Sequence, residues 1–136
     1  MARQDKIIAG ILLVHGLLGA VWTYSVAAQL DSPAAFLVPQ LALVAIGITA
    51  SIGCSKGFQW AALLGMLFFA IQLLHIATPS LRLSFTLGLN FILSFGWLGS
   101  GQVGINLFAL AMLAWLSLRA GASDSSFRRM RLARAA

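Results

Sequence analysis

Read for its apolar and polar positions, the chain alternates between long uninterrupted apolar runs and short polar breaks. A helix rises 1.5 Å per residue, so about 20 apolar residues cross the roughly 30 Å of a bilayer's hydrocarbon. Four runs meet or approach that length, at 7–28, 34–54, 58–78 and 103–118. The breaks carry boundary chemistry: Asp31-Ser32-Pro33 offers an oxygen-bearing cap with a proline just inside, Ser55-Lys56-Gly57 is a short turn, and Pro79 stops a helix. The first run also resembles a signal peptide, with a basic start and Val26-Ala27-Ala28 as a cleavage-like end, but it is assigned as helix one.

Residues 81–97 break the helical pattern. Leu81, Leu83, Phe85, Leu87, Leu89, Phe91, Leu93, Phe95 and Trp97 are all apolar, while the residues between them are polar or small apart from Ile92. A period of two belongs to a strand. Gly88-Leu89-Asn90 supplies turn chemistry at the middle, which predicts a hairpin pairing Leu87 with Phe91, Phe85 with Leu93, Leu83 with Phe95 and Leu81 with Trp97. A two-stranded sheet surrounded by lipid would leave edge N–H and C=O groups unpaired, so the hairpin is expected at the outer interface.

Composition fits this picture. Of 136 residues, 60% are hydrophobic and 9% charged, with a mean hydropathy of +0.95. A soluble domain carries roughly 25% charged residues, so the chain cannot wet a globular surface. One cysteine excludes a disulfide framework. The net charge of +6 does not point to nucleic acid, because five of the nine Lys/Arg residues follow position 118, beside an apolar run. With four spans, Arg3, Lys6, Lys56, Arg119, Arg128, Arg129, Arg131 and Arg134 fall on one side and only Arg82 on the other. The fold class is therefore an all-α integral membrane protein. Its architecture is a four-transmembrane-helix bundle with both termini cytoplasmic and an extracytoplasmic β-hairpin between helices 3 and 4. A basic tail spans 119–136, and the setting is a bacterial inner (cytoplasmic) membrane.

Polar side chains within spans are the default places to look for function. Depths counted along the expected helices put Tyr24, Gln40, Gln72, His75 and Asn106 in one layer of the outer half, with Gln72 and His75 on one helix face. Interhelical hydrogen bonding is the plainer use for such residues; an outward-facing pocket beneath the hairpin is the sharper one. His15, counted from position 7, falls about 12 Å from the inner surface and apart from that layer, bonding across a helix contact that Gly16 and Gly19 bring close. Cys54 beside Lys56 reads as a buried thiol, with a reactive or palmitoylated cysteine as the alternative. Gly47, Ser51, Ala45, Thr49 and Gly53 give small-xxx-small spacings on helix two. In the tail, Arg128, Arg129, Arg131 and Arg134 are candidate contacts for anionic lipid headgroups.

No catalytic triad, nucleotide loop or metal spacing occurs, and no cofactor is expected. The expected function is that of a non-enzymatic accessory or interaction subunit working through its helices and hairpin, either as a homo-oligomer or with a membrane-protein partner. The second reading is a small transport or ligand-binding module that uses the Tyr24/Gln40/Gln72/His75/Asn106 layer. A lipid-modifying enzyme with His75 as base is the third.

Overall fold

A computed structural model of the chain describes residues 3–29, 34–78, 82–84, 87–97 and 100–122. Four helices and four strands follow in the order α1 (Arg3–Ala27), α2 (Ala34–Ser55), α3 (Gln59–Ile71), β1 (Leu74–Ala77), β2 (Arg82–Ser84), β3 (Ile92–Trp97), β4 (Gly101–Asn106) and α4 (Leu107–Gly121). The first two helices are long and apolar enough to cross a membrane; α3 and α4 are shorter apolar helices. At 13 and 15 residues they reach only ~20 and ~22 Å, and each runs directly into a strand.

Consecutive helices pack against one another, and small residues set the spacing. A Cβ at Gly47 would meet the Phe68 ring at 2.8 Å, and one at Gly53 would overlap Ala61, so α2 and α3 touch backbone to side chain. Gly16 does the same for α1 against Ile48 of α2, where Ser51 also donates its hydroxyl to the Ala9 carbonyl. Of the small residues expected to pack on helix two, Gly47, Ser51 and Gly53 are buried inside the bundle, whereas Ala45 and Thr49 are exposed. Ile8, Leu12, Leu43, Phe68, Phe69, Met112 and Leu116 fill the space between the helices.

The first helix begins at Arg3 rather than at 7, because Asp5 is buried. Its carboxylate Oδ1 accepts from Arg119 Nε at 3.0 Å and lies 3.0 Å from Nη2 of the same residue. Asp5 occupies the first turn of α1 and Arg119 the last turn of α4, so each charge also faces the favourable pole of its helix. The pair joins the start of the first helix to the end of the last at one end of the bundle. A span counted from 7 leaves Asp5 before the first run, and Arg119 follows the last run at 118, so hydropathy alone does not pair them.

The third helix also departs from expectation, ending at Ile71 instead of 78. Gln72 turns its amide back to donate to the Phe68 carbonyl at 3.1 Å, and Leu73 N–H closes a tightened final turn on Ala70. Residues 74–77 continue as a strand. Likewise 103–106, expected in helix four, belong to β4, and α4 starts where Asn106 caps it.

The strands form one antiparallel sheet in the order β2-β1-β4-β3. Period two in 81–97 correctly marked β-structure, but the expected self-pairing hairpin does not form. Leu83 lies opposite Ile76, and Leu93 and Phe95 lie opposite Ile105 and Val103. The reason is competition: β1 and β4, concealed in helix-length apolar runs, pair with each other at the centre and leave β2 and β3 as opposite edges. Leu87 and Phe91, the expected innermost pair, are instead part of the connection between those edges. Asp31-Ser32-Pro33, Pro79, Leu81, Phe85 and the tail from 123 lie outside the described residues.

Candidate functional site

The buried polar residues converge on Gln72. With its amide nitrogen held by the Phe68 carbonyl, Gln72 Oε1 accepts from His15 Nε2 at 3.1 Å and from the Leu87 backbone N–H at 3.0 Å. This assigns the His15 proton to Nε2. The imidazole stacks on Phe108 (centroids 5.4 Å, planes 10° apart) and meets Phe68 and Phe69 edge-on. Gly88 closes the cluster from above. Its φ is +66°, and a Cβ there would lie 2.9 Å from His15 Nδ1. Leu87 fills the notch at Gly19, where a Cβ would come within 2.8 Å of it.

This arrangement corrects the expected depths. Counted from the true helix starts, His15 lies ~18 Å along α1 and Gln72 ~20 Å along α3, so the two are level. Gln72 and His75 do not share a helix face, because His75 belongs to β1, pairing with Gly104 and Ser84.

The other residues of the expected layer are dispersed. Asn106 is the N-cap of α4: its Oδ1 accepts from Phe108 N–H at 3.1 Å and Ala109 N–H at 3.3 Å, while its Nδ2 donates to Asn90 Oδ1 at 2.9 Å. Gln40 is buried on α2, and its Oε1 has no hydrogen-bond partner among the described residues, as is true of Thr23 Oγ1 on α1 and of His75 Nδ1. Tyr24 points outward, 79% exposed. Cys54 is fully buried. Among the described residues no three His, Cys, Asp or Glu side chains stand together as a metal site. Arg128, Arg129, Arg131 and Arg134 lie outside the described residues.

The sheet presents a different kind of surface. Through the register, Leu74, Ile105 and Leu93 form one cross-strand row, and Ile76, Val103 and Phe95 the next. These two rows share one face, and all but the half-buried Ile76 are well exposed, Phe95 by 67%. The opposite face carries His75, Gly104 and Ser94 in one row and Ala77, Gln102 and Gly96 in the other, with Gly104 buried. Ser94, Gly96 and Gln102 of that face are exposed as well, so the apolar rows lie on one of two largely open faces.

Its edge is open as well. Leu107 N–H donates to the Phe91 carbonyl at 2.8 Å, so Phe91, Leu93, Phe95 and Trp97 direct their backbone groups toward β4. Ile92, Ser94 and Gly96 direct theirs away, on the side where β3 has no neighbouring strand among the described residues. Sequence periodicity found the alternation but not which face is exposed, because exposure depends on the two central strands. No protein-family model, curated protein or solved structure matches this chain.

Proposed function

We propose that the chain is a small integral membrane protein of the bacterial inner-membrane type, with both chain termini on the cytoplasmic side. In this reading it acts as a non-enzymatic accessory subunit, and the outer sheet is its docking element. The observation that carries this is the edge of β3, which has no neighbouring strand among the described residues and is continuous with the exposed Leu74/Leu93/Phe95/Val103/Ile105 face.

The physical argument is one of unmet bonding. Gln72, level with His15, stands two residues before β1, so the sheet starts about midway along α1, which runs on for ~18 Å beyond His15. At that depth the outward N–H and C=O groups of Ile92, Ser94 and Gly96 would each cost several kcal/mol if left facing hydrocarbon. A strand added from a second polypeptide satisfies them, and its side chains cover the apolar rows. Three of the five residues of the expected layer do not line a pocket: Gln72 and Asn106 are committed to bonds within the fold, and Tyr24 faces away.

The test is the assembly state and co-purifying polypeptides in mild detergent. Ser94→Pro removes an N–H that points out of the sheet and so breaks no bond to β4, whereas it blocks strand addition. The complex should dissociate in Ser94→Pro and in Leu93→Lys/Phe95→Lys, with helix content unchanged. An assembly identical to wild type in both variants refutes the reading.

A further inference from the structure

Neighbouring helices pack in sequence, α1 on α2, α2 on α3 and α3 on α4, while α1 and α4 meet through side chains, Asp5 with Arg119 at one level and His15 with Phe108 at another. Between them lies a partly open groove of ≈340 Å³, lined by Ile7, Gly10, Ile11 and Val14 of α1, Phe108 of α4 and Leu89 of the crossing segment. Its lining is almost wholly apolar; His15 contributes at its inner wall, where the imidazole is stacked on Phe108. A Cβ added at Gly10 would meet nothing within 4 Å.

We infer that this groove holds one acyl chain of an anionic phospholipid of the cytoplasmic leaflet, with the lipid phosphate at Arg3 and Lys6. The inference rests on the membrane reading above. Three observations choose this occupant. From Ile7 to His15 the groove follows α1 for ~12 Å, close to the ~15 Å depth of one leaflet's hydrocarbon. A space of ≈340 Å³ along that length, with an almost wholly apolar lining, accommodates a single hydrocarbon chain. Charge supplies the third: Arg3 is four residues before Ile7 and Lys6 four before Gly10, so both exposed cations lie one turn below the lining residues on the same face. Beside them, Asp5 is engaged with Arg119 and its carboxylate is buried, which leaves the exposed charge at this end positive.

The experiment is native mass spectrometry of the full chain extracted from vesicles of equal phosphatidylglycerol and phosphatidylcholine. Wild type should retain one phosphatidylglycerol per chain. Gly10→Leu fills open space and should lower retention at least about tenfold with unchanged helix content; Ile7→Trp, which blocks the mouth from a part-exposed position, gives the same readout if Gly10→Leu does not fold. Arg3→Gln/Lys6→Gln should keep a lipid bound but lower the preference for phosphatidylglycerol about 25-fold, roughly fivefold per basic residue. Retention equal to wild type in the groove-filling variants overturns the inference, as does equal retention of the two lipids by wild type. A changed oligomeric state in Gly10→Leu also overturns it, since the groove is then a contact between copies. Recovery of the protein from cells in the soluble fraction without detergent is a different failure, that of the membrane reading itself.

Discussion

Removing the Asp5 charge tests how the bundle is closed. Asp5 is 0% exposed and Arg119 7%, and two guanidinium nitrogens stand 3.0 Å from one carboxylate oxygen. Asp5→Asn keeps the shape and leaves a buried cation without its anion, a loss of about 3–5 kcal/mol. A further ~0.3–1 kcal/mol goes with the favourable placement of the carboxylate at the start of α1. Asp5→Leu/Arg119→Met removes both charges together, and replacing a buried pair with apolar groups of similar volume is often neutral or stabilising by about 1–4 kcal/mol. The double variant should therefore recover most of what Asp5→Asn loses. Denaturant titration in mild detergent, followed by far-ultraviolet circular dichroism, measures all three proteins. The reasoning fails if Asp5→Asn unfolds within about 1 kcal/mol of wild type, the range of a surface pair. It fails equally if the double variant is as unstable as Asp5→Asn.

Gln72→Leu strips the acceptor from both His15 Nε2 and the Leu87 N–H, and at about 1–3 kcal/mol per orphaned buried donor the combined loss should reach roughly 2–6 kcal/mol in the same titration. Adding His15→Leu to that variant should restore part of the loss, because one orphan disappears; no recovery would argue that the imidazole matters only as packing. Gly88→Ala forces a side chain into a left-handed backbone and against the His15 ring, so it should destabilise by more than the ~1–2 kcal/mol of the conformation alone. A neutral Gly88→Ala would show that the 87–91 crossing is not held against His15 as described.

How much of this was legible in the sequence varies element by element. The second helix was read almost to the residue, because apolar content, the Pro33 region and Lys56-Gly57 all agree about its limits. The first was started late: charged Asp5 looked like a flank, and only a partner 114 positions away explains its burial. The resulting four-residue offset displaced His15 from Gln72, so the one real polar cluster was divided between two depths. In 81–97 the alternation was a sound sign of strand, yet the matching strands 74–77 and 101–106 carry too little alternation to separate them from helix-like apolar runs. Gly101 and Gly104, poor helix formers, were the available clue to β4. Of the candidate site residues, Gln72 and Asn106 could be recognised as buried polar groups, but their partners Leu87 and Asn90 could not, since those contacts cross between elements.

The ion pair has a consequence for the order in which the molecule is made. Its two residues are separated by 114 positions, so at about 5–20 residues per second Asp5 is added to the chain roughly 6–23 s before Arg119. The sheet obeys a similar schedule, because its central pair joins a strand ending at Ala77 to one starting at Gly101. Neither the outer sheet nor the inner lock can be completed until the last helix emerges. The nascent chain must be shielded through that interval, and the emergence of α4 is also the step that joins the first helix to the last.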